Sequence, residues 1–426
     1  MLLRSHVAVK LLASAVLLNW HYVLLGQPVA QALFNSRPLL KLINGMMHVA
    51  LPGALSKQGV PRPNSTMVYS DGPRRGRVDV FLPGDGGEAP RPAIMYFHGG
   101  AFISGTRTMG AGTCGWLSSH GTACFSVSYR LTGSGLRGAG VAGCIEDAWA
   151  ALRWLRANAA ELNVDPNRIV AMGDSAGSLL ALSLGTGLDP SSAAPIARSE
   201  RPAAIIGGWP VSTLGALTYA PRRSADGKTW EPTPAANEFR VENVFVPTKR
   251  FGGTAAKTQA RLRTVLAGGL LCFGRTWCGL LPAVSRFPAD DDAASVSPLR
   301  LADQSGLPPM LLMSGGDDTV VPCEQTSQFA EAARAAGNEV AEIIFDGAPH
   351  GGGGVNSIAG REATLDFLQR HAILHGAAAR RSSRDAAEVA PTIQGAMRAF
   401  GLKGVEYERQ GRFRPSGTVR LRPVVS

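Results

Sequence analysis

From about residue 77 onward, short runs of apolar and β-branched residues alternate with longer stretches whose apolar positions recur every three or four residues. That alternation predicts a mostly parallel sheet whose strands are joined by flanking helices. Runs 77–82, 93–97, 123–129, 169–172, 203–207, 310–313 and 340–345 read as strands. Helical periods occupy 144–162, where Ile145, Ala148, Leu152, Leu155 and Ala159 share a face, and also 323–336 and 359–375. The alternation stops between 211 and roughly 300, where apolar and turn-forming residues mix. About ninety such residues exceed any plain connection and predict an inserted lid or cap.

The chain divides accordingly into residues 1–34, 35–76, a main domain at 77–376 that contains the 211–300 insertion, and a tail at 377–426. The first segment has Arg4 and Lys10, an apolar stretch over 11–26 and then Ala30-Gln31-Ala32, the layout of a secretory signal. Asn19 and His21 interrupt that stretch, and its length falls short of the ~20 residues of a clean bilayer span, so a single-pass anchor is disfavoured. Two readings stay open. In one, the segment targets the chain to the secretory pathway or brings it into membrane contact. In the other, it is an amphipathic helix of a cytoplasmic protein, continued by Leu39, Leu40, Leu42, Ile43, Met46 and Met47. The sequon Asn64-Ser65-Thr66 has meaning only under the first. Residues 35–76 read as cap or linker. The Ala-, Arg- and Ser-rich tail reads as partly disordered, with a short helix near 391–400.

Composition narrows the function classes. Among 426 residues, 45% are hydrophobic, 18% are charged, and there are 51 Gly and 28 Pro, which describes a loop-rich globular chain and excludes a coiled coil or a collagen. Six Cys are too few for a disulfide scaffold, and none has the spacing of a zinc site. Cys272 and Cys278 could pair only in an oxidising compartment, while Cys114, Cys124, Cys144 and Cys323 read equally as buried thiols. The net charge of +11 resembles a nucleic-acid signal until it is divided along the chain. Residues 1–70 hold six basic residues and no acid, and 377–426 hold ten basic and four acidic. The remainder, with 27 basic and 28 acidic residues, is close to neutral, which argues against a nucleic-acid-reading face.

Two glycine-flanked motifs carry the chemistry. Gly173-Asp174-Ser175-Ala176-Gly177 follows the strand 169–172 and precedes a helical run. A serine at a sharp strand-to-helix turn is lifted off the sheet edge, beside the amides of the helix N-terminus. His98-Gly99-Gly100-Ala101-Phe102 follows the strand 93–97, where main-chain amides of Gly99 and Gly100, with that of Ala176, could form an oxyanion hole. A nucleophilic serine needs a base, and the base needs an orienting acid. His350, in Asp346-Gly347-Ala348-Pro349-His350-Gly351 after the last strand, is the base candidate; His371 and His375 fall in the final helix. The run His350-Gly351-Gly352-Gly353-Gly354 also mimics an oxyanion motif, but it follows the nucleophile and a turn-like Gly-Ala-Pro. Asp318 is the acid candidate in Gly315-Gly316-Asp317-Asp318-Thr319-Val320-Val321-Pro322, with Asp317 as its alternative. Asp174 reads as a structural hydrogen-bond acceptor. Phe102 and Trp209 are candidate walls of a substrate pocket, and Trp209 serves equally well as core.

Together HGGAF, GDSAG, the Gly-Asp-Asp turn and the late His resemble the hormone-sensitive-lipase-like branch of the α/β-hydrolase carboxylesterases, over residues 77–375. The runs Ser126 to Leu131 and Val164 to Ile169 are also similar to that family. The resemblance implies an eight-stranded, mostly parallel sheet with a helical cap, a serine esterase acting on small ester substrates, and neither metal nor organic cofactor. Small to medium acyl or acetyl esters are the expected substrates. Ala101 and Ser178 stand where the family commonly has Gly, and Thr132-Gly133 replaces its usual Ala-Pro-Glu. Three other functions use the same fold: a serine peptidase or amidase with the same triad, a non-catalytic binding or receptor protein, which would ordinarily lack one of the three residues, and a lyase or transferase. Oligomeric state is not legible.

Overall fold

The computed structural model describes residues 60–71, 76–84, 88–102, 105–131, 140–214, 219–224, 230–234, 295–318, 320–348, 350–371, 373–374 and 416–422. Eleven strands and five α-helices fall within them: β1 (Ser65–Ser70), β2 (Gly76–Phe81), β3 (Arg91–Phe97), α1 (Ala111–Ser119), β4 (Ala123–Ser128), α2 (Gly140–Ala157), β5 (Val164–Asp174), α3 (Ala176–Thr186), β6 (Ala204–Gly208), β7 (Tyr219–Arg223), β8 (Trp230–Pro234), β9 (Met310–Gly315), α4 (Cys323–Ala335), β10 (Val340–Phe345), α5 (Ile358–Arg370) and β11 (Gly417–Leu421).

Nine strands form one sheet in the order β1-β2-β4-β3-β5-β6-β9-β10-β11. The β1–β2 and β2–β4 pairings are antiparallel, and every pairing from β4 to β11 is parallel. The central strands are apolar on both faces because each face meets helices. In β3, Ala93, Met95 and Phe97 join the core that contains Ile145, Leu152 and Leu155 of α2, Leu179 and Leu180 of α3, and Phe329 of α4. Its alternate residues Ile94 and Tyr96 join the opposite core, with Trp116 and Leu117 of α1 and Phe367 and Leu368 of α5. The two-residue side-chain period thus assigns α2, α3 and α4 to one side and α1 and α5 to the other.

Helices α2, α4 and α5 occupy the stretches whose apolar periodicity predicted them, whereas α1 shows little amphipathic pattern and is buried from Thr113 to Leu117. All eleven residues of α3 are buried, so it has no polar face. Seven sheet strands match the runs read from sequence, each within a few residues. The structure adds two strands to the sheet outside those runs. β1 lies in the segment read as cap or linker, and the sheet therefore begins before residue 77. β11 lies in the segment read as a partly disordered tail. The eight strands implied by the family resemblance are β1 to β6, β9 and β10, and β11 extends that sheet by one. In the insertion, the described residues include a two-stranded antiparallel ribbon of β7 and β8, and 215–218, 225–229 and 235–294 lie outside the described residues. So do the N-terminal segment to residue 59, the helix expected near 391–400, Cys272 and Cys278. No helix among the described residues is long and apolar enough to cross a membrane. Asn64 of the sequon is exposed, but its side-chain oxygen accepts from the Leu82 amide at 2.8 Å.

β11 is pinned by polar and apolar contacts together. Buried Glu342 of β10 accepts from the Thr418 hydroxyl at 2.5 Å and from the Ser327 hydroxyl at 2.6 Å. Arg334 donates to the Gly417 carbonyl at 2.8 Å, and the Leu421 carbonyl accepts from the Asp346 amide at 2.9 Å. Leu421 is fully enclosed. Leu421→Ala should lower unfolding stability by about 3 kcal/mol, the typical cost of a deleted buried leucine side chain. Urea denaturation measures that loss, and a change under about 0.5 kcal/mol, the usual range of a surface substitution, would show the strand to be undocked in solution.

Candidate active site

The turn from β5 into α3 carries Ser175 at φ 54°, ψ −119°, a conformation side-chain-bearing residues rarely adopt. Sterics make the flanking glycines compulsory. A Cβ on Gly173 would lie 2.1 Å from the Gly177 carbonyl oxygen, and one on Gly177 would lie 2.0 Å from that of Phe97. The Ser175 amide donates to the Gly208 carbonyl at 2.8 Å, and the Ser178 amide and hydroxyl both donate to the Ser175 carbonyl. Ser178 therefore braces the turn where the family commonly has Gly, and its hydroxyl also accepts from the Val211 amide at 3.1 Å.

His350 reaches this serine from the loop after β10. Its Nε2 lies 3.0 Å from Ser175 Oγ, and its Nδ1 lies 2.7 Å from Asp318 Oδ2. Asp318 is buried, and its other oxygen accepts from the amides of Val320 and Val321, each at 2.9 Å. With hydrogen bonds on both oxygens, the carboxylate is fixed in one orientation. Asp317, the alternative acid, is exposed, and its amide is bonded to the Ala348 carbonyl.

The loop after β3 sits against the nucleophile. A Cβ on Gly99 would come within 3.1 Å of the Asp174 carbonyl oxygen and 3.4 Å of Ser175 Cβ, a tight fit that glycine relieves. Gly100 has φ 125°, and Ala101 and Phe102 also have positive φ, at 51° and 62°. Ala176 opens α3, where the first amides have no partner within the helix. His98 is buried, stacks on Tyr129 with ring centroids 4.4 Å apart, and accepts the Tyr129 hydroxyl on its carbonyl at 2.7 Å. Phe102, a candidate pocket wall, is almost wholly enclosed within the core that holds Phe97 and Tyr129.

Trp209, the other candidate wall, follows β6 at φ 48°. Its ring lies 5.9 Å from the His350 ring, centroid to centroid, and its indole Nε1–H donates to the Gly352 carbonyl at 3.1 Å. Sequence reasoning left this residue open between pocket wall and core and missed its tie to the histidine loop, because Trp209 and Gly352 are 143 residues apart. Tyr96 was missed as well, since within its strand it reads only as an apolar position. Its hydroxyl donates to Asp174 Oδ2 at 2.6 Å. Asp174 thus is the acceptor read from sequence, yet its buried Oδ1 has no hydrogen-bond partner. Burial pushes its carboxyl up to about 6, against the Tyr96 hydrogen bond and the positive charge of a protonated His350, which pull it down.

Among the described residues no three His, Cys, Asp or Glu side chains gather as a metal ion would require. Cys114, Cys124, Cys144 and Cys323 are buried free thiols.

Residues 78–205, which span both glycine motifs, match the family described as BD-FAE. Residues 286–374, which span Asp318 and His350, match the Prolyl oligopeptidase family. Esterase LipI of Mycobacterium tuberculosis is 39% identical over 22% of this chain and 28% of its own length. Esterase LipC of the same organism is 25% identical over 67% of this chain and 59% of its own length. The chain thus covers less than two thirds of these relatives. Among solved structures, the apo form of Thermogutta terrifontis esterase 2 superposes with a TM-score of 0.51 at 27% identity, over 74% of this chain and 97% of that one. The same esterase phosphonylated by sarin gives a TM-score of 0.52 at 27% identity, over 74% and 98%. The chain has the α/β-hydrolase fold of these esterases. Of the two departures within the glycine motifs, Ser178 is taken up in hydrogen bonds at the turn, whereas Ala101 holds a positive φ that a side chain disfavours.

The Asp174 environment has a measurable consequence. An unfolded aspartate titrates near 3.9 and the folded one at about 6, so between these values the folded state holds the extra proton. Stability therefore falls as pH rises through that window. Asp174→Asn should remove this dependence, gaining on the order of 2 kcal/mol over the parent at pH 7.5 relative to pH 4. Urea unfolding at the two pH values tests it, and parallel curves for both proteins would show that Asp174 is not held protonated.

Proposed function

We propose that this protein is a serine carboxylesterase acting on small-molecule esters, with Ser175 as nucleophile, His350 as base and Asp318 as orienting acid. One observation carries the reading: the hydrogen-bonded chain from Ser175 Oγ to His350 at 3.0 Å and on to Asp318 at 2.7 Å, at a strained turn that presents the hydroxyl. Named esterases among the relatives and structural neighbours support it.

In this mechanism Ser175 Oγ attacks the ester carbonyl carbon while His350 Nε2 takes its proton, and Asp318 holds the imidazole by its Nδ1–H. The amides of Gly99, Gly100 and Ala176 receive the negative charge that develops on the carbonyl oxygen. Each such donor contributes roughly 3 to 4 kcal/mol to lowering the barrier. Collapse of the tetrahedral intermediate breaks the ester C–O bond, and His350 returns the proton to the departing alcohol. Water then attacks the acyl-serine by the same proton relay, releasing the carboxylic acid and restoring Ser175. Small to medium acyl groups are the proposed range.

The match of residues 286–374 to the Prolyl oligopeptidase family favours one second reading, an amidase or peptidase using the same residues. A fluorophosphonate probe with p-nitrophenyl esters and the matching anilides separates the two. The ester reading expects labelling and ester turnover in the parent, little anilide cleavage, and loss of both labelling and turnover in Ser175→Ala, by roughly 10³-fold or more. Ester turnover unchanged in that variant would remove the assignment, and faster anilide than ester cleavage would transfer it to the amidase.

A further inference from the structure

Trp209 is held from three directions, and two of them lead to His350 and the loop that carries it. Its amide donates to the Met313 carbonyl of β9 at 2.7 Å, which fixes its backbone to the sheet at φ 48°. A bulky residue at positive φ persists only where its surroundings over-determine it, and such sites cluster where function constrains the chain. The indole Nε1–H donates to the Gly352 carbonyl at 3.1 Å, two residues beyond His350. The ring itself lies tilted at 57° beside the imidazole.

The glycine run after His350 has the shape this arrangement requires. Gly351, Gly353 and Gly354 have φ values of 82°, 74° and 54°. A Cβ on Gly353 would lie 2.4 Å from Phe345 Cγ, and one on Gly354 would lie 3.3 Å from two atoms of the Trp209 ring. The run therefore folds as a strap closed against Trp209 and Phe345, with the Gly352 carbonyl facing the indole N–H. This accounts for His350-Gly351-Gly352-Gly353-Gly354, which the proposed chemistry otherwise leaves without a purpose.

We infer that Trp209 is a positioning residue for His350: it clamps the Gly351–Gly354 strap through its indole N–H and fills the space beside the imidazole, so that Nε2 stays within reach of Ser175. The inference rests on the proposed triad, and it differs from the pocket-wall expectation, since Trp209 acts through His350 and not on the acyl chain. Removing it misplaces the base for every substrate alike, whereas removing a pocket wall changes which acyl chain fits.

Trp209→Phe keeps a ring but loses the donor, and Trp209→Ala loses both. For p-nitrophenyl acetate, butyrate and octanoate, kcat should fall about tenfold in the first and about a hundredfold in the second. KM should stay within about twofold and the acyl ranking should not change. A readout free of turnover is the low-field proton NMR resonance of the His350 Nδ1–H, identified by its absence from His350→Gln. It should broaden in Trp209→Phe and vanish in Trp209→Ala, in protein whose circular dichroism matches the parent. Unchanged kcat with a lowered melting temperature would reduce Trp209 to plain core and overturn the inference. A reordered acyl ranking at constant kcat would make it a pocket wall and equally overturn it. If the parent itself turned over no ester, the triad reading would fail, and an intact resonance in both variants would separately end the clamp.

Discussion

The site depends on one backbone turn, the residue between β5 and α3 that holds Ser175 at φ 54°. Such a conformation costs roughly 1 to 3 kcal/mol, so the fold must supply contacts that leave the chain no alternative. It does so by close packing. Gly173 and Gly177 bring backbone within a distance no Cβ tolerates, the Gly208 carbonyl fixes the Ser175 amide, and α3 is buried along its whole length. The serine hydroxyl therefore has one direction available, and every other functional group must come to it.

Sheet order determines which groups can. β5, β6, β9 and β10 lie side by side and parallel, so the loops leaving their C-terminal ends share one edge of the sheet. Ser175 follows β5, Trp209 follows β6, Asp318 follows β9 and His350 follows β10. The order of the four groups along the chain is also their order across the sheet. Residues 175 positions apart thereby form a 3.0 Å hydrogen bond without either strand leaving the ladder.

Two aspartates at that edge show how environment divides the labour of one residue type. Asp318 has hydrogen bonds on both oxygens, two of them from main-chain amides, and keeps a fixed orientation toward the imidazole. Asp174 has one hydrogen bond, from Tyr96, and an enclosed oxygen with none. A buried carboxylate so poorly partnered is costly to ionise, which is why burial dominates its titration. The difference lies in surrounding donors, and nothing in Gly-Asp-Ser or Gly-Asp-Asp announces it.

Much of this molecule was legible in its residues, and the boundary of legibility has a physical cause. Local rules determined the parts that local forces build: seven sheet strands from apolar runs, α2, α4 and α5 from their periodicity, and the Ser175 and His98 motifs from glycines at strand ends. The edge strands β1 and β11 escaped because their half-exposed, mixed residues carry little hydrophobic signal, and β11 becomes a strand only through β10 beside it. Only the tertiary structure brought Asp318 and not Asp317 against His350, gave the glycine run after His350 its partner in Trp209, and left Asp174 short of donors. Each of those turns on distances between residues far apart in the chain, and such distances exist only once the sheet has brought the strand ends together.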